Sequence, residues 1–202
     1  MSDLKIGQAI LNALSASPHG ITTLDVLESL RLSDSFTLKT ILSRLNRSGR
    51  IIHLKRGVYS TKPMTDPYAC AQATFNGYLG FSTALHLHGL ISEMPFTLLV
   101  ATTSTSKVKR FGEYEFRAVA LGEKAVGFAR VGNYVVSTRP KTLFDCLYLP
   151  KYSVEEDKLL DAFGQAKLTK QEWREFDVYV KKFTGGRIAR RIEEAEKSIR
   201  RG

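Results

Sequence analysis

Cysteine is scarce: Cys70 and Cys146 are the two in 202 residues, far apart and without CxxC spacing. That count excludes a disulfide-stapled scaffold and a cysteine-based zinc site, and it fits a reducing compartment. Long apolar runs are missing too, none approaching the roughly 20 residues of a membrane-spanning helix. Met1 to Lys5 lack the basic-then-apolar pattern of a secretory leader. A cytoplasmic protein with no membrane partner is therefore expected. No Walker A, GxGxxG or GxSxG pattern occurs, which removes the common phosphate cradles and nucleophile elbows. What remains is a chain with 43% hydrophobic and 25% charged residues, the balance of a globular protein. Its length allows one large domain or two small ones.

Charge of one sign predominates. Thirty Lys and Arg against twenty Asp and Glu give a formal +10, an excess that favours polyanionic partners. Residues 1–62 hold nine basic and four acidic residues, a net of +5. Residues 63–150 hold eight and six, and residues 151–202 hold thirteen and ten. Half of the excess thus lies in the first third of the chain.

That first third reads as three helices and a hairpin. Ile6, Ile10, Ala13 and Leu14 form one helical stripe ending before Pro18 and Gly20. Thr22 and Asp25 have the spacing of a capping box for a second helix carrying Leu24, Leu27 and Leu30. After the polar turn Leu32–Ser35, a third helix is predicted from Phe36 to Ser48, with Leu38, Ile41, Leu42 and Leu45 as its apolar stripe. Ile51–Leu54 and Val58–Ser60 are predicted strands around Lys55-Arg56-Gly57. This is the layout of a winged helix-turn-helix, predicted over residues 1–62. Pro63 and Pro67 mark a linker.

The remainder, 63–202, is expected to be a larger α/β domain with a mixed sheet and C-terminal helices, making the whole chain α+β. Helix is predicted over 67–76 and from a Ser82 cap through His88. Strands are predicted at 96–102, 114–121, 126–131 and 134–138, and a further helix at 141–149. Ser153-x-x-Glu156 and Thr169-x-x-Glu172 both have capping-box spacing. Trp173, Phe176, Val180 and Phe183 share one helical face, as do Ile188, Ile192, Ala195 and Ile199.

Three constellations invite a chemical reading. Opposite the third helix's apolar stripe lie Phe36, Thr40, Ser43 and Arg47, flanked by Thr37, Lys39 and Arg44. A recognition helix needs such a face: short hydroxyls that approach base edges, and arginines that reach guanine or phosphate. Lys55 and Arg56 stand where a wing would touch the backbone of the duplex. Thr37, Lys39, Thr40, Ser43, Arg44, Arg47, Lys55 and Arg56 are thus the candidate DNA-binding residues. Ordinary solvated charges on a small helical domain would explain the same residues, but helix order, turn, wing and local charge all agree with DNA binding. His86 and His88, two residues apart on a helix, point about 200° apart and cannot share one ion, so no metal is expected. Glu113 and Glu115 have the look of paired nuclease carboxylates, yet alternation on a half-exposed strand explains them equally well. No catalytic residue and no cofactor are expected. In the last helix Arg187, Arg190 and Arg191 crowd the end that disfavours cations, an arrangement suited to an acidic partner or phosphate unless Glu193, Glu194 and Glu196 ease it.

Lys55-Arg56-Gly57-Val58-Tyr59 closes the predicted wing. It is followed by the run Gly77-Tyr78-Leu79-Gly80-Phe81-Ser82-Thr83-Ala84-Leu85-His86-Leu87-His88-Gly89-Leu90 and, later, by Arg139-Pro140-Lys141-Thr142-Leu143-Phe144-Asp145-Cys146-Leu147-Tyr148. In this order, across nearly the whole chain, these segments resemble the AbiEi antitoxins of type IV toxin–antitoxin phage-defence systems. The resemblance implies a winged helix that represses its own operon by binding inverted repeats in promoter DNA. It also implies a C-terminal antitoxin domain that neutralises a nucleotidyltransferase-like AbiEii toxin. The rival readings are a stand-alone regulator whose second domain senses a ligand or dimerises, and a nuclease delivered by the winged helix.

Overall fold

The computed structural model describes residues 2–201 and divides the chain into two compact units, one ending at Thr74 and one starting at Phe75. The first unit runs α1 (Asp3–Ala16), β1 (Ile21–Thr23), α2 (Leu24–Ser29), α3 (Ser35–Arg47), β2 (Ile51–Lys55), β3 (Val58–Thr61) and α4 (Pro67–Thr74). Its core joins Ile6, Ile10 and Leu14 of α1 to Leu27 of α2, Leu38, Ile41, Leu42 and Leu45 of α3, and Ile51 of β2. The stripes of α1 and α3 thus converge, each burying the face on which its aliphatic residues recur, whereas of the expected second stripe only Leu27 is buried and Leu30, at the end of α2, is 47% exposed. The strands form an antiparallel sheet in the order β1-β3-β2. Helix α4 belongs to this unit: Cys70 and Ala71 are buried, and the Cys70 thiol lies 3.3 Å from the Ser60 hydroxyl of β3.

Two local expectations change here. Three-residue β1 was not foreseen, because so short a segment shows no periodicity. Its presence moves the start of α2: Thr22 is buried within the strand, and Thr23 is the cap whose hydroxyl accepts from the Val26 amide at 3.3 Å.

The second unit contains β4 (Tyr78–Leu79), α5 (Phe81–Leu87), β5 (Thr97–Thr102), β6 (Lys107–Phe111), β7 (Tyr114–Ala120), β8 (Phe128–Val131) and β9 (Tyr134–Ser137). Helices α6 (Arg139–Tyr148), α7 (Glu156–Ala166), α8 (Lys170–Phe183) and α9 (Gly186–Arg201) complete it. The six strands make one mixed sheet, β6-β7-β5-β4-β9-β8. The β5/β7 and β4/β9 pairs are parallel and the others antiparallel. The fold is therefore α+β, with a mixed sheet and helices gathered at the C-terminal end. Strand β6 escaped the sequence reading because Lys107, Lys109 and Arg110 mask its alternation. Edge strands often carry such charges, which discourage pairing with other chains.

Capping again divides expectation from outcome. Thr169 and Glu172 form the reciprocal capping box at the start of α8. Ser153 does not cap α7, whose cap residue is Glu155 with no side-chain bond, because the chain first makes a 3-10 turn over Pro150–Tyr152. Ser82 does not cap α5; the cap is Gly80, two residues earlier, so that Phe81 opens the helix and enters the core. Among the described residues no helix is long and apolar enough to cross a membrane.

Helix α6 lies at the centre of the second unit, with every residue from Pro140 to Leu147 buried. Leu143, Phe144 and Leu147 pack with Leu99 and Ala101 of β5, Phe163 of α7, Phe176 and Tyr179 of α8, and Ile192 of α9. This burial also encloses a charged pair, Lys141 and Asp145, both completely inaccessible and hydrogen-bonded one helical turn apart. The Tyr78, Phe144 and Tyr179 rings surround the Lys141 ammonium at 5.4–5.9 Å, a cation–π enclosure. Gly127 closes over them: at its φ of +72° an added Cβ would sit 2.2 Å from the Tyr179 hydroxyl.

Burial pushes the Asp145 carboxyl up to about 6, against the pull of Lys141. Its second oxygen has no hydrogen-bond partner among the described residues. Because this value lies above the ordinary one, the folded state holds the proton more tightly. The group's contribution to stability is complete in acid and is lost as pH rises through about 6. Asp145→Asn should flatten that slope between roughly pH 4 and the raised value. Removing one partner, by Lys141→Met or Asp145→Leu, should cost about 3–5 kcal/mol in denaturant unfolding, and the double variant should regain most of the loss.

Candidate nucleic-acid interface

Helix α3 starts at a strong cap. The Asp34 carboxylate accepts from the Thr37 amide at 2.9 Å and from the Thr37 hydroxyl at 2.7 Å. These bonds, the amide first, hold the Asp34 carboxyl below the usual carboxylate range. From α2, Glu28 accepts from the Ser35 hydroxyl at 2.6 Å and faces Lys39 at 4.0 Å. The helix is thus fixed at its entry by α2 and its own cap, and along its length by the buried stripe.

Rotation by about 100° per residue then turns the polar face outward. Phe36, Lys39, Thr40, Ser43, Arg44 and Arg47 line one shallow concavity. The Thr40 hydroxyl donates to the Phe36 carbonyl at 3.0 Å. Arg44 donates to Asp3 of α1 at 2.8 Å, but both side chains are more than 60% exposed, so the pair contributes little to stability. Arg47 and Arg56 have no ion-pair or hydrogen-bond partner among the described residues.

The β2–β3 hairpin turns through Arg56 and Gly57, and Gly57 supplies the φ of +71° that its tip requires. The Gly57 carbonyl accepts from the Leu24 amide at 2.8 Å, which ties the tip to the start of α2. Asn46 accepts from the His53 amide at 3.0 Å, which ties the end of α3 to β2. A second concavity is lined by Lys39, His53, Arg56, Gly57 and Tyr59, among others. Lys39 borders both hollows, so the helix face and the hairpin tip meet at its side chain.

The sequence-predicted residues divide accordingly. Lys39, Thr40, Ser43, Arg44 and Arg47 come together on α3, and Arg56 joins them through Lys39. Thr37 is engaged in the cap, and Lys55, half-buried on β2, lines neither concavity. The sequence-predicted site omits three contributors, Phe36, His53 and Tyr59. Phe36 lies 81% exposed on the polar face, and its departure from the apolar stripe was a usable signal. His53 and Tyr59 stack at 5.0 Å. A bulge between His53 and Lys55 makes them cross-strand partners, and counting back from the turn would have paired Leu54 with Tyr59 instead.

The other constellations have structural partners. Glu115 accepts from Arg117 at 2.7 Å and from Arg110 at 3.0 Å, bonds that hold its carboxyl below the usual range, whereas Glu113 is exposed. His88 donates through Nε2 to the Ser137 carbonyl at 2.7 Å, and burial holds its imidazole below the usual histidine value. Arg191 donates to the Leu147 carbonyl. Cys70 and Cys146 are free and buried, their thiols pushed up to about 11 and about 12 by burial. Among the described residues no three His, Cys, Asp or Glu side chains gather as a metal site.

Compared with known proteins, the chain matches no protein-family model and no curated protein.

The two hydroxyls have separable roles. Thr37→Ala should lower the thermal midpoint followed by circular dichroism, because it removes half of the Asp34 cap. Ser43→Ala, at an exposed position, should shift stability by less than about 0.5 kcal/mol. The cap's contribution should be present above the ordinary carboxylate value and fade as pH falls through the lowered value of Asp34.

Proposed function

We propose that the first unit is a winged helix-turn-helix that binds promoter DNA, with α3 as the recognition helix and the β2–β3 hairpin as the wing. The carrying observation is the outward face of α3: two short hydroxyls beside two arginines and a lysine, bordered at Lys39 by the hairpin's Arg56. Element order and the β1-β3-β2 sheet support the reading. Short side chains allow the helix to approach base edges, and Arg47 has the reach and the free donors for guanine or phosphate. Arg56 and Lys55 contribute sequence-independent backbone affinity.

In the full proposal the protein is a cytoplasmic autorepressor and antitoxin that is not an enzyme. It occupies inverted repeats upstream of its own gene, and its second unit neutralises a nucleotidyltransferase-like toxin. The resemblance to the AbiEi antitoxins supports this second role, and the separate compact unit from Phe75 onward is consistent with a division of labour.

Gel-shift and footprinting on the DNA upstream of the gene, at two salt concentrations, test the DNA-binding reading. A protected inverted repeat that persists at the higher salt is expected; diffuse, salt-labile binding would refute it. Arg47→Ala should cost about 1–3 kcal/mol of affinity and relax selectivity at one position. Arg56→Ala should weaken all sequences alike and flatten the salt slope by about one. Asp3→Asn, which releases Arg44, should tighten binding. Growth rescue on co-expression with the neighbouring gene's product tests the antitoxin role.

A further inference from the structure

Phe36, with 81% of its surface open to solvent, is as exposed as any large apolar side chain among the described residues of the first unit, matched by Leu4 at 80%. The core does not need it: the stripe of α3 is complete in Leu38, Ile41, Leu42 and Leu45. Yet its position is fixed, because it stands in the capped first turn where Asp34 holds Thr37. It also shares one concavity with Lys39, Thr40, Ser43, Arg44 and Arg47, all of them polar or basic. An occupant of that surface must be anionic over most of its contact and present an apolar group at the N-terminal end of the helix. Duplex DNA meets both conditions. Its phosphates match the three cations, and the C5-methyl of thymine is the apolar group that the major groove displays.

From this juxtaposition we infer that Phe36 is a specificity-determining residue that reads a thymine methyl at one end of the half-site. The inference rests on the DNA-binding reading above. Phe36 and Arg47 stand eleven positions apart, about 16 Å along the helix axis. The two side chains therefore cannot serve the same base step, and the thymine lies at the opposite end of the half-site from the Arg47 contact.

The test replaces each thymine of the bound duplex by uracil, which removes the methyl and leaves the pairing unchanged. The duplex is the protected upstream repeat, or one selected from a random pool if the upstream DNA is not protected. Wild-type protein should lose about fourfold in affinity at one thymine per half-site, the worth of one buried methyl. Phe36→Ser should bind the thymine duplex more weakly and be indifferent to uracil there, while Phe36→Leu, still apolar, should keep the discrimination. Circular dichroism melts should be the same for all three proteins, since the side chain is exposed. If wild type binds a specific sequence but no thymine is uracil-sensitive, or Phe36→Ser remains sensitive, the assignment to Phe36 is wrong and the DNA-binding reading stands. If wild type selects no sequence, the DNA-binding reading itself fails, and this inference with it.

Discussion

The packing of α3 against α1 and α2 governs what the first unit presents to solvent. Leu38, Ile41, Leu42 and Leu45 are committed to the core with Ile6, Ile10, Leu14 and Leu27. A helix that buries one stripe has no freedom left about its axis, so the opposite stripe is aimed outward as a fixed set. Phe36, Lys39, Thr40, Ser43, Arg44 and Arg47 share a surface for this reason. The Asp34 cap and the Asn46 bond to β2 add fixed ends, and the tie from Leu24 to Gly57 orients the hairpin tip beside the same helix. A surface set by core packing in this way is preorganised, which lowers the ordering cost that binding would otherwise incur.

The second unit is built around a different constraint. Helix α6 is buried on every side and carries Lys141 and Asp145 into the interior. Aromatic rings around the ammonium and the neighbouring carboxylate replace its water, while burial still acts against both charges. Such a pair contributes little to net stability, but losing one partner leaves an uncompensated charge. The ion pair lies within α6 itself, so it is the Tyr78 and Tyr179 rings around the ammonium that relate the helix to β4 and α8. Outside this pair, several polar groups find partners on the same or neighbouring elements. Ser137 bonds Thr142, His88 bonds the Ser137 carbonyl, and Glu115 is held by Arg110 and Arg117.

Legibility followed the strength of the local pattern. The three N-terminal helices, both hairpin strands and the Thr169–Glu172 cap were readable because each rests on a periodicity or a fixed three-residue spacing. Strand β1 was too short to show a period, and β6 was hidden by its edge charges. The caps expected at Thr22, Ser82 and Ser153 failed for one shared reason. A capping spacing does not reveal whether the chain is already in a strand, about to bury an aromatic residue, or first making a 3-10 turn.

Taken alone, the amino-acid order determined which faces are apolar, where helices begin and end to within a residue or two, and which side chains stand opposite the stripe of α3. These are local consequences of a 3.6-residue period and of side-chain chemistry. Tertiary structure decided the rest. It paired His53 with Tyr59 through a bulge, engaged Arg44 with an aspartate forty-one residues earlier, and brought the Tyr78 and Tyr179 rings around Lys141. Each of these depends on groups brought together from distant parts of the chain or on the exact register between strands. Both follow from how the whole core packs, which no local window of sequence contains.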